Sequence, residues 1–163
     1  MRSIILDKKA FQEDPDKFES LVKFSHFSLS SLSTFYPTFD KWYFEKVYAG
    51  LYNGERKILL HYLGNNLAGI AILKSTSYEK KLCCLRVTPS FYGSGVGLKL
   101  FSESFKYLET ERPLLSVSEE QLPIFHRIFN HFSFEIGDEY RDLYRKKKNE
   151  ISFNGLLKIE KKI

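Results

Sequence analysis

The sequence predicts an α/β (α+β) fold, and three observations carry that prediction. Apolar runs over 57–62 and 67–74 are separated by Gly64-Asn65-Asn66, a hairpin signal, and a third strand follows over 81–88, bounded by Pro89. A glycine-rich turn, Tyr92-Gly93-Ser94-Gly95-Val96-Gly97, then leads into an amphipathic helix with Leu98, Phe101, Phe105 and Leu108 at helical spacing. Beyond it come a short apolar strand over 114–118, a helix over 122–130 and a further strand. The order β-β-β-loop-α-β-α-β therefore spans about 56–155.

From the N-terminus, Ile4-Ile5-Leu6 lets residues 1–7 form an edge strand. Phe18, Leu21, Val22, Phe24, Phe27 and Leu29 recur close to helical spacing, so 18–32 reads as a helix that starts near Pro15 and Asp16. Tyr36-Pro37 breaks it, because the residue before proline disfavours the helical basin. A second helix follows over about 39–51, ending near Gly50 and Gly54. After Phe134, the segment 137–149 reads as a long polar connection. Glu150-Ile151-Ser152-Phe153 then alternates as a strand and ends at Asn154-Gly155. The whole chain, 1–163, reads as one domain, with 156–163 a peripheral tail.

A glycine-rich turn opening a helix leaves backbone N–H groups unpaired at the positive end of the helix dipole, and suits phosphate or pyrophosphate. The Walker pattern does not fit, since no Gly-Lys-Ser/Thr closes the loop; nor does G-x-G-x-x-G, since Gly93, Gly95 and Gly97 give G-x-G-x-G. The turn resembles motif A of the GNAT superfamily, the acyl-CoA-dependent N-acyltransferases, whose pattern is Gln/Arg-x-x-Gly-x-Gly/Ala. Gly95 and Gly97 fill the small positions, and Tyr92 stands where Gln or Arg is usual. Phe132-Ser133-Phe134 resembles the superfamily's Gly-Phe step into its next strand, with Ser133 in the glycine place. Tyr36-Pro37, Phe39-Asp40, Trp42, Lys46-Val47 and Gly54-Glu55-Arg56-Lys57 resemble a bacterial subgroup, from which fold and cofactor carry over and a substrate does not.

The resemblance implies a GNAT fold: a central, mixed, mostly antiparallel twisted sheet with helices on both faces. It implies acetyl-CoA (coenzyme A) as cofactor, its pyrophosphate on the amides of Tyr92, Gly93, Ser94, Gly95, Val96 and Gly97. The pantetheine arm would lie along Leu85, Arg86 and Val87, where the sheet splays from 116–118, and an N–H near Val87 would act as an oxyanion-hole donor. It implies N-acetyl transfer to a primary amine by direct attack, the acceptor being a small molecule or a peptide amine.

Proton traffic is harder to place. Many members of the superfamily carry a tyrosine four residues before the glycine of Gly-Phe; Phe129 stands there and cannot donate. His126, one turn earlier, is a substitute, although a histidine on an aromatic-rich helix is more often a packing residue. Glu119 follows the strand end at Ser118 and is the candidate base, helix capping with Glu120 being the ordinary alternative. Tyr36 joins it as a catalytic candidate, and Trp42 as an acceptor-binding one; both have core packing as their alternative. Arg86, between Leu85 and Val87, must face a polar cleft or find a partner, and an acceptor-carboxylate role follows. Cys83 and Cys84 alternate faces of one strand, so one is a small buried hydrophobe. His26, His61, His126 and His131 have no ligand spacing with cysteines, and no metal is expected.

Composition bounds the rest. Hydrophobic residues at 43% with 28% charged are ordinary for a globular domain. Two adjacent cysteines make no disulfide framework, and neither a membrane span nor a signal-peptide core is evident, so the expected location is the cytoplasm with no membrane partner. The net charge of +5 lies entirely in 141–163, which holds eight basic and three acidic residues; the other 140 residues carry 17 of each. That tail suggests RNA contact and a toxin-like acetyltransferase of aminoacyl-tRNA, against the commoner solvated loop. From another class, a degenerate GNAT domain could serve as a CoA-binding or protein-interaction module. The oligomeric state stays open, a homodimer included.

Overall fold

A computed structural model describes residues 1–159. The tail residues Lys161 and Lys162 lie outside the described residues, as does the second half of the expected peripheral segment 156–163, residues 160–163. The chain begins with β1 (Arg2–Leu6), α1 (Lys8–Glu13) and α2 (Pro15–Ser28). The sequence reading has no counterpart for α1. Its signal is a pair of aspartates: Asp7 accepts from the Ala10 N–H and Asp14 from the Lys17 N–H, capping α1 and α2 in succession. Pro15, lacking an N–H, suits the first position of α2.

Helix α2 stops at Ser28, short of the expected residue 32. A 3₁₀ turn over Ser30–Thr34 follows, in which the Ser33 hydroxyl donates to the Ser30 carbonyl at 2.8 Å. Serines that bond their own backbone compete with α-helix, and the serine-rich run ends it. After Pro37, α3 (Phe39–Trp42), a π-helical turn (Tyr43–Val47) and α4 (Tyr48–Asn53) form one helical path. Gly54, at φ +85°, ends it in the left-handed conformation that glycine tolerates best.

The first sheet contains β1, β2 (Arg56–Leu63), β3 (Asn66–Ser75) and β4 (Lys80–Val87) in that spatial order, all antiparallel. Its side chains alternate between two cores. Ile58, Leu60, Ile70 and Ile72 pack with Phe18, Val22, Tyr43 and Leu51 of the N-terminal helices. Leu59, Ala71 and Leu73 pack with Leu100, Phe101 and Phe105 of α5 (Val96–Leu108).

The second sheet has the order β5 (Leu115–Ser118), β7 (Asn149–Phe153), β6 (Ile136–Arg141), also antiparallel, with α6 (Leu122–His131) leading into it. Ser133 follows α6 at φ +55°, the left-handed conformation that makes glycine usual there. Strand β6 replaces much of the polar connection expected over 137–149. It is an almost wholly exposed edge, so Ile-Gly-Asp-Glu-Tyr-Arg carries no apolar alternation to mark it. Strand β7 is central, and Glu150 to Phe153 are all buried.

One short parallel bridge joins the sheets. The Leu82 N–H donates to the Leu114 carbonyl, and the Leu114 N–H to the Lys80 carbonyl, each at 2.9 Å. Past that point β4 and β5 belong to different sheets, and among the described residues the remaining edge of β4 has no strand beside it. Beyond the bridge no backbone hydrogen bond links the two strands among the described residues.

Candidate active site

A cleft of about 660 Å³ lies between β4 and β5. Leu82 to Leu85 of β4 form one wall and Leu115, Ser116 and Val117 of β5 the other. The cleft touches both cores. Phe101, Phe125 and Phe129 line it from the side of α5 and α6; Tyr36, Phe39 and Trp42 line it from the N-terminal helices.

At its polar point stands Glu150, only 3% exposed on the central strand β7. Its carboxylate accepts from the Tyr36 hydroxyl at 3.0 and 3.2 Å and from the Ser116 hydroxyl at 2.8 Å. Burial pushes its pKa above the usual carboxylate range, while the hydrogen bonds from Ser116 and Tyr36 and the charges of Lys81 and Arg145 hold it partly down. The neighbouring phenols stay neutral. Burial, then the charge and hydrogen bonding of Glu150, push Tyr36 far up; burial and the same charge push Tyr144 up to about 12. The two rings meet edge to face at 5.2 Å. A buried carboxylate that accepts from two hydroxyls can take and return a proton.

The turn at the other end of β4 offers donors instead. Gly93 and Gly95 have φ of +77° and +84°. The Tyr92 N–H is used within the turn, donating to Pro89, and the Ser94 N–H likewise donates to Phe91. The first helical bond runs from the Lys99 N–H to the Gly95 carbonyl, and no side chain caps α5. The N–H groups of Gly93, Gly95, Val96, Gly97 and Leu98 therefore find no acceptor among the described residues. Gly97 is small for a packing reason: a Cβ there would lie 3.0 Å from Cδ1 of Ile128, so α5 and α6 approach closely at this point.

No protein-family model matches the chain, and no curated protein matches it. Solved structures do. The ribosomal-protein-S18-alanine N-acetyltransferase from Escherichia coli superposes with a TM-score of 0.56 at 16% identity, over 73% of this chain and 82% of that one. A GNAT family acetyltransferase from Elizabethkingia anophelis, solved with acetyl-CoA bound, gives 0.53 at 14%, over 67% and 81%. Nourseothricin acetyltransferase gives 0.52 at 17%, over 62% of this chain and 65% of its own length, just under two thirds. The chain has the GNAT fold. At these identities the likeness is one of fold.

The cleft collects some of the residues singled out in the sequence and not others. Tyr36 and Trp42 line it, as does Leu85. Glu119 does not. Its backbone N–H continues the β5–β7 ladder to the Asn149 carbonyl, and its half-exposed carboxylate lies 3.8 Å from Lys148. Glu120 pairs with Arg145 at 2.6 Å, which holds its carboxyl down to about 2. Arg86 also lies outside the cleft: its Nη1 donates to the Ser28 carbonyl at 2.5 Å, closing the C-terminal end of α2. Of the amides assigned to the turn, those of Tyr92 and Ser94 are committed, and that of Leu98 joins the set. Cys83 and Cys84 both line the cleft, the ladder slipping by one residue between them and Leu82. Burial pushes the Cys84 thiol up to about 12. Glu150 is absent from the sequence-based candidates because Glu150-Ile151-Ser152-Phe153 alternates polar and apolar residues, the pattern of a strand with one solvent-facing side, whereas both faces of β7 are buried.

Proposed function

We propose that the chain is an acetyl-CoA-dependent N-acetyltransferase that acetylates a primary amine by direct attack. The observation that carries the reading is the pairing of an uncapped, glycine-rich helix start with a splayed β4 edge, on a fold whose neighbours are solved with acetyl-CoA or CoA bound. The free amides of Gly93, Gly95, Val96, Gly97 and Leu98 suit a pyrophosphate. The open edge of β4, with Leu85 and Val87, suits an amide-bearing arm, and the aromatic wall of Phe101, Phe125 and Phe129 excludes water from it. Acetyl-CoA would supply the acetyl group as an activated thioester.

Glu150 takes the role of base. Its raised pKa makes it a stronger base than an ordinary carboxylate toward an ammonium group in the cleft. Tyr36 donates to Glu150, so its hydroxyl can give a proton to a leaving group and be refilled from the protonated carboxyl. Phe129, in place of a donor tyrosine, favours a second reading as a CoA-binding module; the hydroxyls of Tyr36 and Tyr144 in the same cleft weigh against it. Thiol release from acetyl-CoA, followed with a panel of primary amines, tests the choice. Amine-dependent release supports transfer. Tight acetyl-CoA binding with no release across the panel supports the module.

A further inference from the structure

The cleft has an uneven charge. Lys46, Arg56, Lys74, Lys81 and Lys158 line it, against the carboxylates of Glu79 and Glu150. Glu79 is taken by Lys74 at 3.2 Å, and Glu150 by Tyr36 and Ser116. Lys46, Arg56 and Lys81 have no carboxylate at ion-pair distance among the described residues.

Arg56 is built into this wall. Its stem crosses α4 where Gly50 leaves room: a Cβ on Gly50 would lie 2.4 Å from its Cγ and 2.5 Å from its Cδ. Its guanidinium sits 5.6 Å from the centroid of the Trp42 ring, and Nη1 donates to the Cys83 sulfur at 3.1 Å. A thiol is a weak acceptor, so nearly the whole five-donor fork is held in place without a strong partner. A positioned guanidinium of this kind fits a carboxylate, which it can grip through two parallel hydrogen bonds.

We propose that the acceptor is an amine that also carries a carboxylate. Arg56 grips the carboxylate, Lys46 and Lys81 add positive charge, and the amine lies toward Glu150 and Tyr36. The proposal rests on the acetyl-transfer reading of the same cleft and narrows its substrate class. It assigns to Arg56 the acceptor-carboxylate role that the sequence suggested for Arg86.

The test uses the full chain, acetyl-CoA and three sets of probes: free α-amino acids, the same amino acids as their amides, and tripeptide amides beginning with aspartate or glutamate. Acetylated product is measured by mass spectrometry alongside thiol release. The expected result is that either the free acids or the acidic peptides are used at least about tenfold better than the amides, by kcat/KM, and which of the two leads identifies the source of the carboxylate. That preference falls about ten- to a hundredfold in Arg56→Gln, the loss expected for a charge-assisted pair. Gly50→Ala, which displaces the same side chain while keeping its charge, lowers it as well, and Arg56→Lys restores part of it. Acetyl-CoA affinity by calorimetry and the thermal melt stay at the wild-type values in at least one of these variants.

Amides used as well as acids, a preference unchanged in both Arg56→Gln and Gly50→Ala, or turnover of spermidine and tyramine with none of the carboxylate probes accepted would each overturn the proposal. A folded wild-type protein that does not bind acetyl-CoA would instead overturn the acetyltransferase reading beneath it.

Discussion

Replacing Glu150 with glutamine separates the proton-handling role from the structural one. Glutamine has the same shape, and its side-chain oxygen can still accept from Tyr36, so the geometry around β7 is retained. What disappears is a carboxylate whose pKa burial raises. The sign for stability follows from that direction. A carboxyl with a raised folded-state pKa stays protonated in the fold after it has ionised in the unfolded chain. As the pH rises from the unfolded to the folded pKa, folding therefore loses stability, by about 1.4 kcal/mol for each pKa unit between them. Above the folded pKa that penalty is complete. Glu150→Gln removes it, so the unfolding free energy at pH 7 is predicted to stay within about 1 kcal/mol of wild type or to rise, with the difference shrinking toward acid pH.

Activity moves the other way. Loss of a positioned base costs about 10²- to 10⁴-fold in kcat. The wild-type rate rises with pH as Glu150 ionises, above the usual carboxylate range, and this acid limb is absent from the variant. Urea unfolding at several pH values gives the first quantity, and thiol release from acetyl-CoA across the same range gives the second. A variant with wild-type kcat and an unchanged acid limb would refute the assignment of Glu150, whatever its stability.

Tyr36→Phe removes a donor that holds the Glu150 pKa down. It is expected to move the acid limb to higher pH and to destabilise the fold by about 1–3 kcal/mol in urea unfolding; an unmoved limb would contradict the coupling. Glu103→Ala strips the Nε2 partner from His61, a fully buried ring whose Nδ1 has none among the described residues, and is expected to cost about 1–3 kcal/mol, with no loss of stability counting against that contact. Cys84 lines the cleft but its thiol is pushed up to about 12, so it is predicted to alkylate more slowly at pH 8 than the same thiol in the unfolded chain; peptide mapping that finds equal rates in the two states would contradict the raised pKa.

Local signals in the sequence carried the parts of the fold that local physics decides. The Gly64-Asn65-Asn66 hairpin, the glycine turn before α5 and the Leu98/Phe101/Phe105/Leu108 repeat each specify their own element, and each element is found where expected, although of the repeat only Phe101, Phe105 and Leu108 enter the core while Leu98 is exposed. Elements held by caps or by edge pairing left weaker traces. Helix α1 depends on two aspartate caps, and β6 on its ladder to β7 with no buried face of its own. The site shows the same division. The donor turn is one contiguous segment and was legible. The hydrogen-bonded cluster unites Tyr36, Ser116 and Glu150, from three distant parts of the chain, and nothing in the sequence alone brings them together. Glu119 drew attention by its position at a strand end, yet the β5–β7 ladder runs through its backbone and leaves its side chain to Lys148. Arg86 needed a partner, as its apolar setting required, and found it in a helix C-terminus rather than the cleft.

The central claim is that the turn at the start of α5 holds CoA, and calorimetric titration with acetyl-CoA tests it most directly. Three proteins suffice: wild type, Gly95→Trp, and Gly54→Ala as a control. Gly54 shares the left-handed backbone of Gly95, φ +85° against +84°, so both substitutions carry a similar strain of about 1–2 kcal/mol. The account predicts tight binding to wild type and to Gly54→Ala, and its loss in Gly95→Trp with the fold intact. Equal binding by Gly95→Trp, or no binding by the folded wild type, would contradict it.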